Sequence, residues 1–323
     1  MNIKEAISRG TFVIDGAMGT AVQSIELDVE HDYLGRENCT DILSKTRPEL
    51  IEQIHASFLE VGVDAIETNT FGANKLVLSE FDDEASTWAY DLNVQSAVIA
   101  RKACDQIEGD RYVLGSIGPG TKLISLGQTT WDEMFVSYEE QARGLIQGGV
   151  DAFLIETCQD ILQVKCAINA CLHALQSSGK TADDIPIMVS ITIETTGTML
   201  VGSDVQTVVH ALKPFPILSL GLNCATGPEL MEPHLAWLCE HWNRHISVVP
   251  NAGLPELFDG RASFPLSPHA YGAQMKQFVQ KYDIDIVGGC CGTTPEHLKS
   301  FIETLTDLQR TERNVIEVPP SAT

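Results

Sequence analysis

The sequence predicts an α/β protein with a (β/α)8 TIM-barrel fold. Three observations lead there: short, almost unbroken apolar runs, amphipathic stretches between them, and repetition of that unit eight times along 323 residues. Unbroken apolar runs suit strands buried on both faces, as in a parallel sheet. A doubly wound sheet would share the alternation, but eight consecutive repeats fit a closed barrel better.

In chain order the strand candidates are FVID at 12–15, DAIET at 64–68, YVLGS at 112–116 and AFLIE at 152–156. The second half supplies IMVSI at 187–191, ILSLGLN at 217–223, SVVPN at 247–251 and IDIVG at 284–288. Each stops at a polar or glycine-bearing turn. The first helical pattern runs over 48–59, where Leu50, Ile51, Ile54, Phe58 and Leu59 share a face and Glu49, Glu52 and Gln53 lie off it. Others occupy 87–107, 138–146, 161–175, 229–242, 268–281 and 295–305, several opening on a proline suited to a first helical turn. Residues 1–308 are therefore expected to form one barrel. Beyond them, 309–323 is charged and then proline-rich, which reads as a linker-like tail, either a frayed end or a connection to a further module.

Composition narrows the function. Acidic residues outnumber basic ones by 44 to 21, and the resulting charge of −23 disfavours nucleic acid and anionic lipid as partners. Apolar runs fall short of the roughly 20 residues of a membrane span. The first residues, MNIKEA, lack a basic stretch followed by an apolar one, so the cytoplasm is the expected compartment. Nine cysteines, an odd number without regular spacing, argue against a disulfide framework and for buried thiols plus a metal or catalytic site.

A barrel gathers its chemistry at the carboxyl ends of its strands. Those ends carry Asp15 to Thr20, Glu67 to Thr70, Glu156 to Cys158, Asn223 with Cys224, and Gly288 to Gly292, including Cys290 and Cys291. The sixth and eighth strands lie one apart around the ring, so Cys224, Cys290 and Cys291 can meet. Three soft thiolates suit Zn2+ and leave its fourth position open. Adjacent strand residues point to opposite faces, so Cys290 and Cys291 share a metal only if the backbone turns sharply, which the flanking glycines permit. The same residues also suit two small buried hydrophobes or a vicinal disulfide. Of the other cysteines, Cys39, Cys104, Cys166, Cys171 and Cys239 are expected in the core, and Cys158 is the one best placed to line the site. No histidine pair stands with a carboxylate in the metalloprotease arrangement. Asp15 and Glu156 are candidate partners for a substrate ammonium, and the turn Gly16, Ala17, Met18, Gly19 offers backbone N–H groups to a carboxylate. Met18 also suits a plain core position.

Seven motifs in order then carry a resemblance: DGAMGT at 15–20, ETNTF at 67–71, SIGPG at 116–120, ETCQD at 156–160, GLNCATGP at 221–228, PNAGLP at 250–255 and GGCCGTTPEH at 288–297. Over about Phe12 to Leu305 the chain resembles the homocysteine S-methyltransferase family, and within it the amino-terminal homocysteine-binding modules of cobalamin-dependent methionine synthases. The resemblance implies a (β/α)8 barrel, Cys224, Cys290 and Cys291 as zinc ligands, Glu156 at the homocysteine ammonium, and Asp15, Gly16, Ala17, Met18 and Asn223 around the amino-acid end. It also implies that the zinc-held homocysteine sulfur takes a methyl group to give methionine. The donor would be methylcobalamin on a separate cobalamin-binding module, recharged from methyltetrahydrofolate by a folate-binding module. Alternatives are a self-contained methyltransferase using betaine or S-methylmethionine, a homocysteine- and zinc-binding module inert without its corrinoid partner, and, more distantly, a zinc hydrolase.

Overall fold

The computed structural model describes residues 1–258 and 261–316. Eight parallel strands form one sheet: β1 (Phe12–Val13), β2 (Ala65–Glu67), β3 (Tyr112–Ile117), β4 (Ala152–Cys158), β5 (Ile187–Ile191), β6 (Ile217–Asn223), β7 (His245–Val249) and β8 (Ile286–Val287). Neighbours in sequence are neighbours in space, β8 pairs with β1, and a bridge from Ile14 to Ala65 joins β1 to β2. The ring is therefore the (β/α)8 barrel expected from the strand pattern.

Period-two alternation sorts the strand residues into two cores. Phe12, Ile14, Ala65, Leu114, Leu154, Met188 and Ile286 point inward, and the short helix Ile3–Ile7 adds Ile3 and Ile7 to the same cluster. Val13, Ile66, Val113, Phe153, Val189 and Val287 point outward against the helices. Both faces are dry, which is why the runs carry no polar alternation.

The outer ring comprises α1 (Pro48–Glu60), α2 (Ala89–Asp105), α3 (Trp131–Gly148), α4 (Ile161–Ser177), α5 (Val205–Leu212), α6 (Pro228–His241), α7 (Pro268–Tyr282) and α8 (Pro295–Ile302). Two of these differ from the sequence reading. The third starts at Trp131 rather than Tyr138, because Thr130 and Glu133 form a capping box there and Met134 already begins the buried stripe. The fifth was not expected at all. Its eight residues span little more than two turns, opened by the Asp204 side chain accepting from Thr207 N–H. A short antiparallel hairpin, Glu256–Phe258 with Arg261–Ser263, also interrupts the β7–α7 connection.

The described part of the tail, 309–316, lies against the barrel rather than fraying. Arg310 Nε donates to Asp283 at 2.5 Å, Arg313 Nη2 to Asp285 at 2.9 Å, and Ile316 N–H to the Glu240 carbonyl at 2.7 Å. The remainder of the tail, 317–323, falls outside the described residues. Among the described residues no helix is long and apolar enough to cross a membrane.

Candidate functional site

A cavity of about 370 Å3 opens at the carboxyl ends of the strands. Its walls are residues 16–20 after β1, 67–71 after β2, Ser116, Glu156 with Thr157, Cys224, Phe264, and 289–291 after β8. Within it the structure brings the three cysteines together: the sulfurs of Cys224, Cys290 and Cys291 all lie within 4.8 Å of one another, and those of Cys224 and Cys291 are 3.9 Å apart. Two sulfurs bound at about 2.3 Å to a tetrahedral zinc would stand about 3.8 Å apart. The cluster thus has the donor type and spacing that zinc takes.

The sharp turn needed at the cysteine pair is present. Cys290 N–H donates to the Pro250 carbonyl, Ala252 N–H to the Cys291 carbonyl, and Thr293 N–H back to the Cys290 carbonyl. Gly292 at φ 79° reverses the chain there, in a region where only glycine is unstrained. Both cysteines are left facing Cys224. Thiol donors crowded this closely share protons unequally. Hydrogen bonds from Cys224 and Cys290 pull the Cys291 thiol down to about 3, while donation to its two neighbours pushes Cys290 well up. Between Pro250 and Ala252, the buried amide oxygen of Asn251 has no hydrogen-bond partner among the described residues.

On the β1–β4 side the cavity is acidic. Glu156 accepts from Ser116 Oγ at 2.5 Å and from Thr157 Oγ1 at 3.4 Å. Asp15 accepts from Glu67 N–H at 3.0 Å. Burial first, and the neighbouring carboxylates second, push Asp15 and Glu67 well above the usual carboxylate range. Glu156 is raised too, again chiefly by burial, and it accepts a hydrogen bond from Glu67. Among the described residues no salt bridge reaches these three acids, and their burial and crowding favour the neutral form.

Not every residue singled out from the sequence reaches the cavity. Gly16, Ala17, Met18, Glu156 and the three cysteines line it. Residues 16–20 are less a turn than the start of a short helix, Met18–Gln23, whose first N–H groups receive no side-chain cap. Asp15 is buried behind the wall, and so is Asn223, whose amide is engaged with Thr157 and Ser190. Cys158, expected to line the site, is wholly buried in the core between the strands and the helices, because β4 bulges after Ile155 and turns its sulfur outward, away from the barrel interior. Cys39, Cys104, Cys166, Cys171 and Cys239 are buried, as expected. Glu67 stood among the strand-end residues but was not singled out with Asp15 and Glu156, although it ends β2 as Glu156 nearly ends β4.

With this geometry in view, the likeness to known proteins is informative. The profile of the homocysteine S-methyltransferase family matches residues 12–305, nine-tenths of the chain. The chain belongs to the homocysteine S-methyltransferase family. It is 41% identical over 321 residues to a methionine synthase of Mycobacterium tuberculosis, and 43% identical over 301 residues to that of Mycobacterium leprae. These alignments cover 98% and 92% of the chain but only 26% and 24% of the relatives, so it spans about a quarter of their length. Among solved structures, the metallated homocysteine methyltransferase MmuM of Escherichia coli superposes with a TM-score of 0.69. That match covers 94% of this chain and 99% of the other at 20% identity, a likeness of fold. Membership of the homocysteine S-methyltransferase family directs attention to the thiol cluster.

Proposed function

We propose that this chain is the homocysteine-activating module of a zinc-dependent methionine synthase, its methyl group coming from methylcobalamin on a separate module and ultimately from 5-methyltetrahydrofolate. The observation that carries the reading is the convergence of Cys224, Cys290 and Cys291 in one cavity with a buried acidic wall. Homocysteine has a thiol at one end and an ammonium and carboxylate at the other. The cavity offers a matching pair of ends.

Cys224, Cys290 and Cys291 would hold the zinc. When bound it makes a coordinating thiol a thiolate near neutral pH, where a free thiol with a pKa of about 8.5 is only a few per cent ionised. Everything else falls to the chain's own groups. The Glu156 and Glu67 carboxylates, with buried Asp15 behind them, take the substrate ammonium, which relieves the three acids of their mutual repulsion. Uncapped N–H groups at the start of Met18–Gln23 face the substrate carboxylate. Held at its amino-acid end, the substrate points its sulfur at the cysteine cluster. The methyl transfer is then a displacement at carbon, with sulfur attacking and the donor departing. Roughly a quarter coverage of the methionine synthases accords with cobalamin- and folate-binding partners on other parts of a longer chain. Nine free thiols accord with the cytoplasm.

Elemental analysis of reduced protein, with and without homocysteine, tests the first half. About one zinc per chain, absent from Cys290→Ala, and proton release on adding homocysteine are the expected results. No zinc in fully reduced, supplemented protein would refute the reading. Free methylcobalamin, S-methylmethionine and betaine are then offered as donors. Methionine from methylcobalamin alone supports the synthase assignment. Methionine from either of the others would make this a self-contained methyltransferase.

A further inference from the structure

The rim of the barrel contains a strained residue held by a side chain that does not itself reach the cavity. Thr157 sits at φ 57°, a left-handed conformation that a β-branched residue seldom adopts. It follows Glu156 directly, at the point where the β4–β5 pairing slips between Ile155 and Cys158. The buried amide of Asn223 grips it twice, accepting from Thr157 N–H at 3.0 Å and donating to Thr157 Oγ1 at 2.7 Å. Asn223 is fixed in turn by Ser190 Oγ, which donates to its side-chain oxygen at 2.8 Å, and by Thr192 Oγ1, which donates to its carbonyl at 3.0 Å. The next residue in the chain is Cys224, itself at φ 59°. One amide therefore ties the carboxylate end of the cavity to the sulfur end.

Glycine would occupy φ 57° without strain. Threonine there keeps a hydroxyl that bonds both Asn223 Nδ2 and the Glu156 carboxylate. Strain is accepted where the position of a neighbouring group depends on it.

We propose that Asn223 is the positioning residue that fixes the separation between the Glu156 carboxylate and the Cys224 sulfur, and that this separation selects homocysteine over cysteine. The inference rests on the reading of the cavity as a homocysteine site. A substrate gripped at both ends is measured by its length, and homocysteine exceeds cysteine by one methylene group. Discrimination of one methylene typically amounts to about 10- to 200-fold, and only when both ends of the site are rigid. Released from Asn223, Thr157 relaxes toward negative φ and the adjoining Glu156 carboxylate moves with it, so the fixed spacing is lost while the thiol cluster stays.

Three variants of the reduced, zinc-supplemented chain test this: Asn223→Ala, Thr157→Gly and Thr157→Ala. The readouts are zinc per chain by elemental analysis and the affinities for L-homocysteine and L-cysteine by calorimetry. Asn223→Ala is expected to keep its zinc but lose about tenfold of its preference for homocysteine. The Thr157 pair keeps the proposal falsifiable if that variant fails to fold. Both lack the hydroxyl, yet glycine holds the left-handed conformation freely and alanine does not, so Thr157→Gly is expected to retain about tenfold more of the preference than Thr157→Ala. Equal preferences in the two, or an undiminished preference in a folded Asn223→Ala, would overturn the proposal. Wild-type protein that bound neither zinc nor homocysteine would overturn the underlying reading of the site instead.

Discussion

His55 shows how one side chain can set a pH limit on the whole fold. It lies on the inner face of α1, fully buried, and among the described residues neither ring nitrogen has a hydrogen-bond partner. Burial lowers it to about 4 from an ordinary value near 6.5. A group depressed on folding contributes stability above its unfolded pKa and loses it as the pH falls through the folded one. By pH 5 the loss is about 2 kcal/mol, from roughly 1.4 kcal/mol per unit. Asp41, raised to about 6 by burial, runs the other way in the same window. Comparison with His55→Leu isolates the histidine, since Asp41 is common to both. Between pH 7 and pH 5 the thermal midpoint of the wild type is expected to fall further than that of the variant, and parallel profiles would show that His55 finds a partner in solution. None of this was visible from sequence, where His55 is one polar letter in an amphipathic pattern. Cys224, Cys290, Cys291 and Glu156 were legible because strand ends converge in a barrel whatever the side chains do. Thr157 was not, since the amide that bonds its backbone lies 66 residues away in the chain.

At the scale of elements, legibility followed length and burial. Eight strands stood out because both faces are apolar, and long helices such as α1 and α4 because a stripe repeats over several turns. The fifth helix escaped because two turns give too few repeats to display a period. The ties that Arg310 and Arg313 make to Asp283 and Asp285, between α7 and β8, were not legible in a charged stretch ahead of a proline-rich end. Gly221 opens the GLNCATGP motif, yet its packing role was not legible: it decides how closely β6 and β7 approach. It faces Ser247 in the register of the two strands, and a Cβ there would collide with the Ser247 carbonyl oxygen and hydroxyl. Backbone cannot step aside as a flexible side chain can. Gly221→Ala is expected to destabilise the barrel by about 3 kcal/mol, an overpacking cost. Because Cys224 lies three residues further on, just past the end of β6, the variant should also bind zinc more weakly than wild type. A thermal midpoint and zinc content both unchanged would mean that the two strands have room to separate.

At the scale of the whole molecule, the cysteine cluster is a cross-link as well as a site. Cys224 extends from β6, and Cys290 with Cys291 from β8, so a shared metal would tie two strand ends across the intervening β7. Ring closure elsewhere is thin: β1 and β8 contribute two residues each to the sheet, and the join from β1 to β2 is a single bridge. A ligand that binds the folded barrel alone stabilises it by mass action, about 2.7 kcal/mol at a free concentration one hundred times its dissociation constant. Removing zinc from reduced protein with a chelator should therefore lower the thermal midpoint by several degrees, and restoring zinc should recover it. Cys290→Ala, lacking one ligand, should melt near the stripped wild type and respond little to either treatment. Ionic strength must be held constant, because a chain of charge −23 is itself stabilised by screening. A wild-type midpoint indifferent to chelator and to added zinc would separate the thiol cluster from the stability of the fold. A zinc response that survived in Cys290→Ala would place the stabilising metal elsewhere.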